Sequence, residues 1–148
     1  MVCVLSNPPE TDGTRTLARV ELAREIVSAA EVRVVNLFSA VTHRSGGISI
    51  AGAEPDAWIV ARPTIERELR QADLVLLAYG LKSPTGPARV HHRVQLAWLD
   101  ELLCELALPV FVVGEGPRHP SRWQRWTSRH HPGLSFAEAV RRSMVLRA

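Results

Sequence analysis

Two loops hold the residues best suited to chemistry. Asn7-Pro8-Pro9 follows the apolar run Val2-Cys3-Val4-Leu5, and Gly114-Glu115-Gly116-Pro117-Arg118-His119-Pro120-Ser121 follows Val110-Phe111-Val112-Val113. In an open α/β sheet, ligands bind beyond the carboxyl ends of parallel strands, so an early and a late loop of this kind can converge on one pocket. Asn7 offers that pocket a carboxamide and His119 an imidazole, and the prolines beside both stiffen the loops before any ligand arrives. Arg118 and Ser121 add ligand-like groups next to His119, Pro8 borders Asn7, and Tyr79, before the strand-stopping Gly80, can stack on a flat ring. Asn36 lies inside the apolar run at residues 34–38, where a carboxamide is costly unless bonded. A bond to a neighbouring loop is expected there ahead of catalysis. Asp12 is expected to cap the first helix, with the role of base open to it if Asn7 only binds.

Charge is distributed unevenly. The net charge is +3, yet from residue 116 to residue 148 seven arginines face one acid, Glu138, so the remainder of the chain is net acidic. Guanidinium forks match phosphate oxygens in pairs, and Trp123 and Trp126 are interleaved with Arg122, Arg125 and Arg129, a composition that suits stacking bases and holding a backbone. Arg122, Trp123 and Arg125 are the expected nucleic-acid contacts. A solvated basic face is the plain alternative, because arginine outnumbers lysine seventeen to one throughout.

The elements that must position these groups alternate. Strands are expected at residues 2–5, 32–38, 74–79 and 110–113. Helices are expected at residues 16–30, 56–70 with a break at Pro63, 89–106, and 136 to about 146, the last announced by the Ser135/Glu138 capping box. In the long helix Val90, Val94, residues 96–98, Leu102 and Leu106 form the expected apolar face. Residues 44–53 and 82–88, rich in Gly, Ser and Pro, read as exposed loops. Buried, non-alternating strands between helices imply a three-layer α/β sandwich with a mostly parallel sheet of about four strands, one domain over residues 1–148.

Composition excludes several classes. No apolar stretch approaches the roughly 20 residues of a membrane span, and the start lacks a basic leader, so a cytoplasmic protein is expected. Cys3 and Cys104 read as buried thiols, and the pairs His91-His92 and His130-His131 lack carboxylates or cysteines at ligand spacing, so no metal is expected. No phosphate-cradling glycine loop, Gly-x-Ser-x-Gly elbow or dinucleotide fingerprint occurs, and no cofactor is expected.

The Asn7-Pro8-Pro9 loop, Val34-Val35-Asn36-Leu37-Phe38, Ala78-Tyr79-Gly80 and Gly116-Pro117-Arg118-His119-Pro120 resemble, in order and over about four-fifths of the chain, the family called domain of unknown function 1643. That family usually has Asn-Pro-Ser where this chain has Pro9, Trp-Gly where it has Tyr79-Gly80, and Asn-Asp where it has Pro55-Asp56. More distantly, Asn7-Pro8 after the first strand and His119-Pro120-Ser121 after the last are similar to the uracil-DNA glycosylase superfamily. The resemblance implies a glycosylase-like fold and hydrolysis of the N-glycosidic bond of a nucleobase in a nucleotide or nucleic acid. Asn7 would hold the attacking water and His119 would stabilise the departing base, with Trp123 or Arg122 wedging into a duplex if the substrate is DNA. A noncatalytic module that binds nucleic acid or a partner through the same crevice and the basic C-terminal segment is the alternative.

Overall fold

The computed structural model describes residues 1–42 and 47–147. Its strands are β1 (Val2–Leu5), β2 (Arg33–Asn36), β3 (Val75–Leu77), β4 (Val110–Val113) and β5 (Met144–Leu146). The helices are α1 (Thr14–Ile26), α2 (Gly47–Ala51), α3 (Asp56–Ile59), α4 (Arg62–Leu69), α5 (Ala88–Leu106), α6 (Trp123–His130) and α7 (Phe136–Ser143). The sheet order is β2-β1-β3-β4-β5, with β2, β1, β3 and β4 parallel and β5 antiparallel to β4.

Because successive strand side chains point to opposite faces, each strand feeds two cores. Val2 and Val4 of β1, Val75 and Leu77 of β3 and Val112 of β4 pack with Trp58, Ile65, Leu69 and Leu99, beneath α2 to α5. Cys3 and Leu5, Leu76 and Val113 point the other way, onto Val20 and Ala23 of α1, Trp123 of α6 and Val140 of α7. Apolar residues on both faces of each central strand are what a sheet covered on two sides demands. The three-layer α/β arrangement with a mostly parallel sheet therefore stands. Gln95, fully buried in α5, accepts a bond from Arg62 Nε (2.9 Å) and donates to the carbonyls of Leu37 and Trp58 (3.0 Å each), which pins the segment leaving β2.

The chain leaves β1 for β2 on one side and returns to β3 on the other. That reversal is a topological switch point, and a crevice at the carboxyl ends of β1 and β3 follows from it.

Several sequence expectations are corrected. The last helix stops at Ser143 rather than near residue 146, and Met144-Val145-Leu146 pairs with β4 instead, making five strands. The β4 edge would otherwise present unpaired backbone groups, and an apolar three-residue segment adjoining it satisfies them. Ser143 passes its carbonyl to Gly114 N–H at 2.8 Å, which turns the chain into the ladder. Residues 47–51, expected as loop, form α2 with Ile48 buried, while residues 43–46 of that stretch lie outside the described residues. The break expected at Pro63 is present slightly earlier, at Val60-Ala61 between α3 and α4, with Pro63 in the first turn of α4. Val90 and Val94 are exposed, whereas Leu102 of the expected face is buried and Leu96, Trp98 and Leu106 pack against the core, and α5 also buries Ala88, Gln95, Leu99 and Leu103. Cys104 is exposed, whereas Cys3 is buried and its thiol is pushed up by desolvation.

The capping box forms as expected: Ser135 Oγ accepts from Glu138 N–H, and Glu138 Oε2 accepts from Ser135 N–H, both at 3.3 Å. Ser135→Ala should lower unfolding free energy by about 1 kcal/mol, read as a shifted urea midpoint at unchanged slope.

Candidate functional site

A cleft of about 1110 Å³ occupies the crevice at the strand ends. Asn7 and His119, 112 positions apart in the chain, both line it, as do Asn36 and Tyr79 from the ends of β2 and β3. The mouth is bounded by the start of α1, by α2, by the loop leading into α5 and by α6. Thr85 N–H donates to Ser49 Oγ at 3.0 Å, which ties that loop to α2.

Asn7 is held by its nitrogen. Nδ2 donates to the Pro8 carbonyl and to Thr42 Oγ1, each at 3.1 Å. Its carbonyl Oδ1 carries no hydrogen bond among the described residues, so an acceptor remains for a water or a ligand.

His119 precedes a single 3₁₀ turn at Pro120–Arg122, and its Nδ1 accepts from Ser121 N–H at 3.2 Å and faces Ser121 Oγ at 2.9 Å. A backbone N–H aimed at Nδ1 requires the lone pair there, so the ring proton belongs on Nε2. Burial first, then the charges of Arg122 and Arg19, depress the imidazole below its usual range, which favours a neutral ring at pH 7. The loop is clamped from both sides. Arg19 Nη1 of α1 donates to the Pro120 carbonyl at 2.8 Å, and Trp123 Nε1 donates to the Arg118 carbonyl at 2.7 Å.

Asn36 departs from expectation, because its Oδ1 is buried without a hydrogen-bond partner among the described residues rather than bonded to a neighbouring loop. A desolvated acceptor without a donor costs stability. Tyr79 is largely buried at the cleft wall, and desolvation raises its phenol.

Other site residues fall elsewhere. Trp123 is fully buried, packed between sheet and α7, and is not free to contact nucleic acid. Along α6 the sheet lies on the side of Trp123 and Thr127, both of which are buried. Asp12 is exposed and outside the cleft lining, its Oδ1 accepts from Thr14 N–H at 3.1 Å, and hydrogen bonding to the Thr14 side chain and then its backbone lowers its pKa. The N-cap of α1 is Gly13, with no side-chain cap bond, so Asp12 lies one residue before the cap rather than at it. Pro8 takes part through its carbonyl, while Pro9 reaches the lining. Arg118, Ser121, Arg122 and Arg125 all line the cleft.

The site residues expected from the sequence omit Trp126, Arg129, His130, Thr42 and Lys82, although Trp126 and Arg129 belong to the Arg/Trp segment expected to suit base stacking. The signal for three of them was present: 122, 125, 126, 129 and 130 recur at helical spacing and so share one face. Trp126 stacks on His130 with centroids 3.9 Å apart, and the Arg118 guanidinium lies 5.2 Å over the Trp126 ring. Gly114 permits this approach. Its φ is +77°, and a Cβ there would stand 2.8 Å from Trp126 Cζ2, so a side chain would displace the indole.

Among the described residues no group of three or more His, Cys, Asp or Glu is placed to hold a metal, and no helix is long and apolar enough to cross a membrane. Comparison of the chain with protein-family models, with curated proteins and with solved structures finds no match in any of the three.

Proposed function

We propose that this cleft hydrolyses the N-glycosidic bond of a nucleobase, as the motif resemblance to the domain of unknown function 1643 family and, more distantly, to the uracil-DNA glycosylase superfamily implies. One observation carries it: a carboxamide with an open carbonyl and a neutral imidazole with a proton on Nε2 line the same cleft. Cleavage between sugar and base passes through an oxocarbenium-like state, so the needs are a placed water and a donor to the leaving anion, with no strong base required. Asn7 Oδ1 orients the water and His119 Nε2–H donates to the base as negative charge develops on it. Tyr79 and the unsatisfied Asn36 Oδ1 hold the base. No cofactor takes part.

The test is a panel of plain and modified nucleotides and oligonucleotides incubated with the protein, with free base resolved by chromatography. Wild type is expected to release base from at least one substrate, and Asn7→Ala to reduce the rate about 100-fold, because a misplaced water costs that order. Release that survives Asn7→Ala unchanged would remove Asn7 from the chemistry. The cationic α6 face favours the noncatalytic binding module as the second reading. In that case no substrate yields base, and oligonucleotides bind in a manner weakened by salt and by Arg122→Gln.

A further inference from the structure

The cations of the cleft have no acid to answer them. Elsewhere the chain pairs its charges, Glu21 with Arg24, Glu68 with Arg33, Glu66 with Arg70 and Asp100 with Arg147. Lys82, Arg118, Arg122, Arg125 and Arg129 all line the cleft, no Asp or Glu does, and none of the five meets a carboxylate among the described residues. Arg118 Nε is also buried with no hydrogen-bond partner. Like charges gathered around one space repel, and a buried unmade donor adds its desolvation penalty, so the empty cleft holds free energy that an anion would release.

The shape of that charge is a row. Arg122, Arg125 and Arg129 follow at three and four residues along α6 and the turn before it, so they share a face and span about 10 Å of helix. The row begins three residues after His119, whose imidazole already feels the Arg122 charge. Lys82 faces the same space from the loop entering α5. A linear anion attached to a base held at His119 would lie along this row. Walls on several sides and a volume near the upper end of small-ligand sites suit a ligand that terminates inside the cleft. Trp123, the aromatic wedge expected from the sequence for a duplex substrate, is committed to the core.

We propose that Arg118, Arg122, Arg125, Arg129 and Lys82 bind the phosphate chain of a free nucleoside 5′-polyphosphate, and this rests on the reading in which its base lies against Asn7 and His119. Affinity then rises with the number of phosphates, since each added group meets another guanidinium.

Isothermal titration with orthophosphate, pyrophosphate and tripolyphosphate tests this without knowledge of the base. Tripolyphosphate is expected to bind at least about tenfold tighter than orthophosphate, a difference of about 1.4 kcal/mol. Arg125→Gln with Arg129→Gln should remove that advantage. Arg141→Gln with Arg142→Gln, on the exposed side of α7 outside the cleft lining, should leave it unchanged. A mixture of the four common ribonucleoside triphosphates should displace tripolyphosphate more effectively than the matching nucleosides. Equal affinity for the three anions, or an equal loss in both double variants, would overturn the site in favour of general surface charge. A mixed-sequence oligonucleotide that competes better per nucleotide than the triphosphates would overturn it in favour of a strand. Binding is read here without turnover, so failure of base release leaves these outcomes intact and the two proposals fall separately.

Discussion

Replacing His119 by alanine is expected to lower the rate of base release by about 10²–10³-fold, the loss typical when one preorganised donor to a developing anion is removed. The imidazole is set up for this before substrate binds, since Ser121 orients Nδ1 and Arg19 and Trp123 hold the carbonyls on either side of the ring. No solvent reorganisation is then needed at the moment the bond breaks. The KM should change far less than kcat, because the donor meets full charge only in the transition state. The pH dependence separates a neutral from a cationic donor. Burial and the nearby arginines hold the His119 pKa below its usual value, so activity should stay level from about pH 8 down to about pH 6.5 and fall only below that. A rate that instead climbs on acidification through pH 7 would assign the work to an imidazolium. Stability follows the same sign. The unfolded imidazole binds protons more readily than the folded one, so His119, and His92 with its own lowered pKa, should destabilise the fold as pH drops below about 6.5.

Trp123→Ala should be the most damaging single change to folding, at about 3–5 kcal/mol, read from the denaturant midpoint by circular dichroism. Trp123 is 0% exposed and the largest of the fully buried side chains, so truncation leaves a cavity among Leu76, Val113 and Val140. It also strands the Arg118 carbonyl in the His119 loop. Trp123→Phe isolates that second effect: most of the packing stays, yet an acceptor loses its donor, and about 1–3 kcal/mol should go with it. Trp126→Ala makes the contrast, since that indole is only partly buried and its removal should cost less. A surface wedge at Trp123 would behave in the opposite way, with stability retained and only substrate binding affected.

These two tryptophans show where sequence reasoning succeeds and stops. Strand runs followed by polar, proline-stiffened loops made the α/β order and the crevice legible, and with them Asn7 and His119, because both signals are local along the chain. The Ser135/Glu138 box was legible for the same reason, as its partners sit three residues apart. Trp123 and Trp126 also sit three apart, yet which of them turns inward depends on where the sheet lies relative to α6, and no local pattern reports that. Likewise Met144-Val145-Leu146 continues a helical pattern well enough in isolation, and only the open edge of β4 draws it into the sheet. The exposed Val90 and Val94 and the buried Gln95 on α5 reverse a hydropathy reading because Gln95 finds Arg62 and two carbonyls brought from other elements. The unpartnered oxygen of Asn36 is invisible until every neighbour has been placed. Short-range propensity and capping thus determined the elements and their order. Side-chain facing, edge pairing and the polar groups left unmatched in the cleft were decided by contacts between distant segments, which exist only once the sheet has closed its two cores.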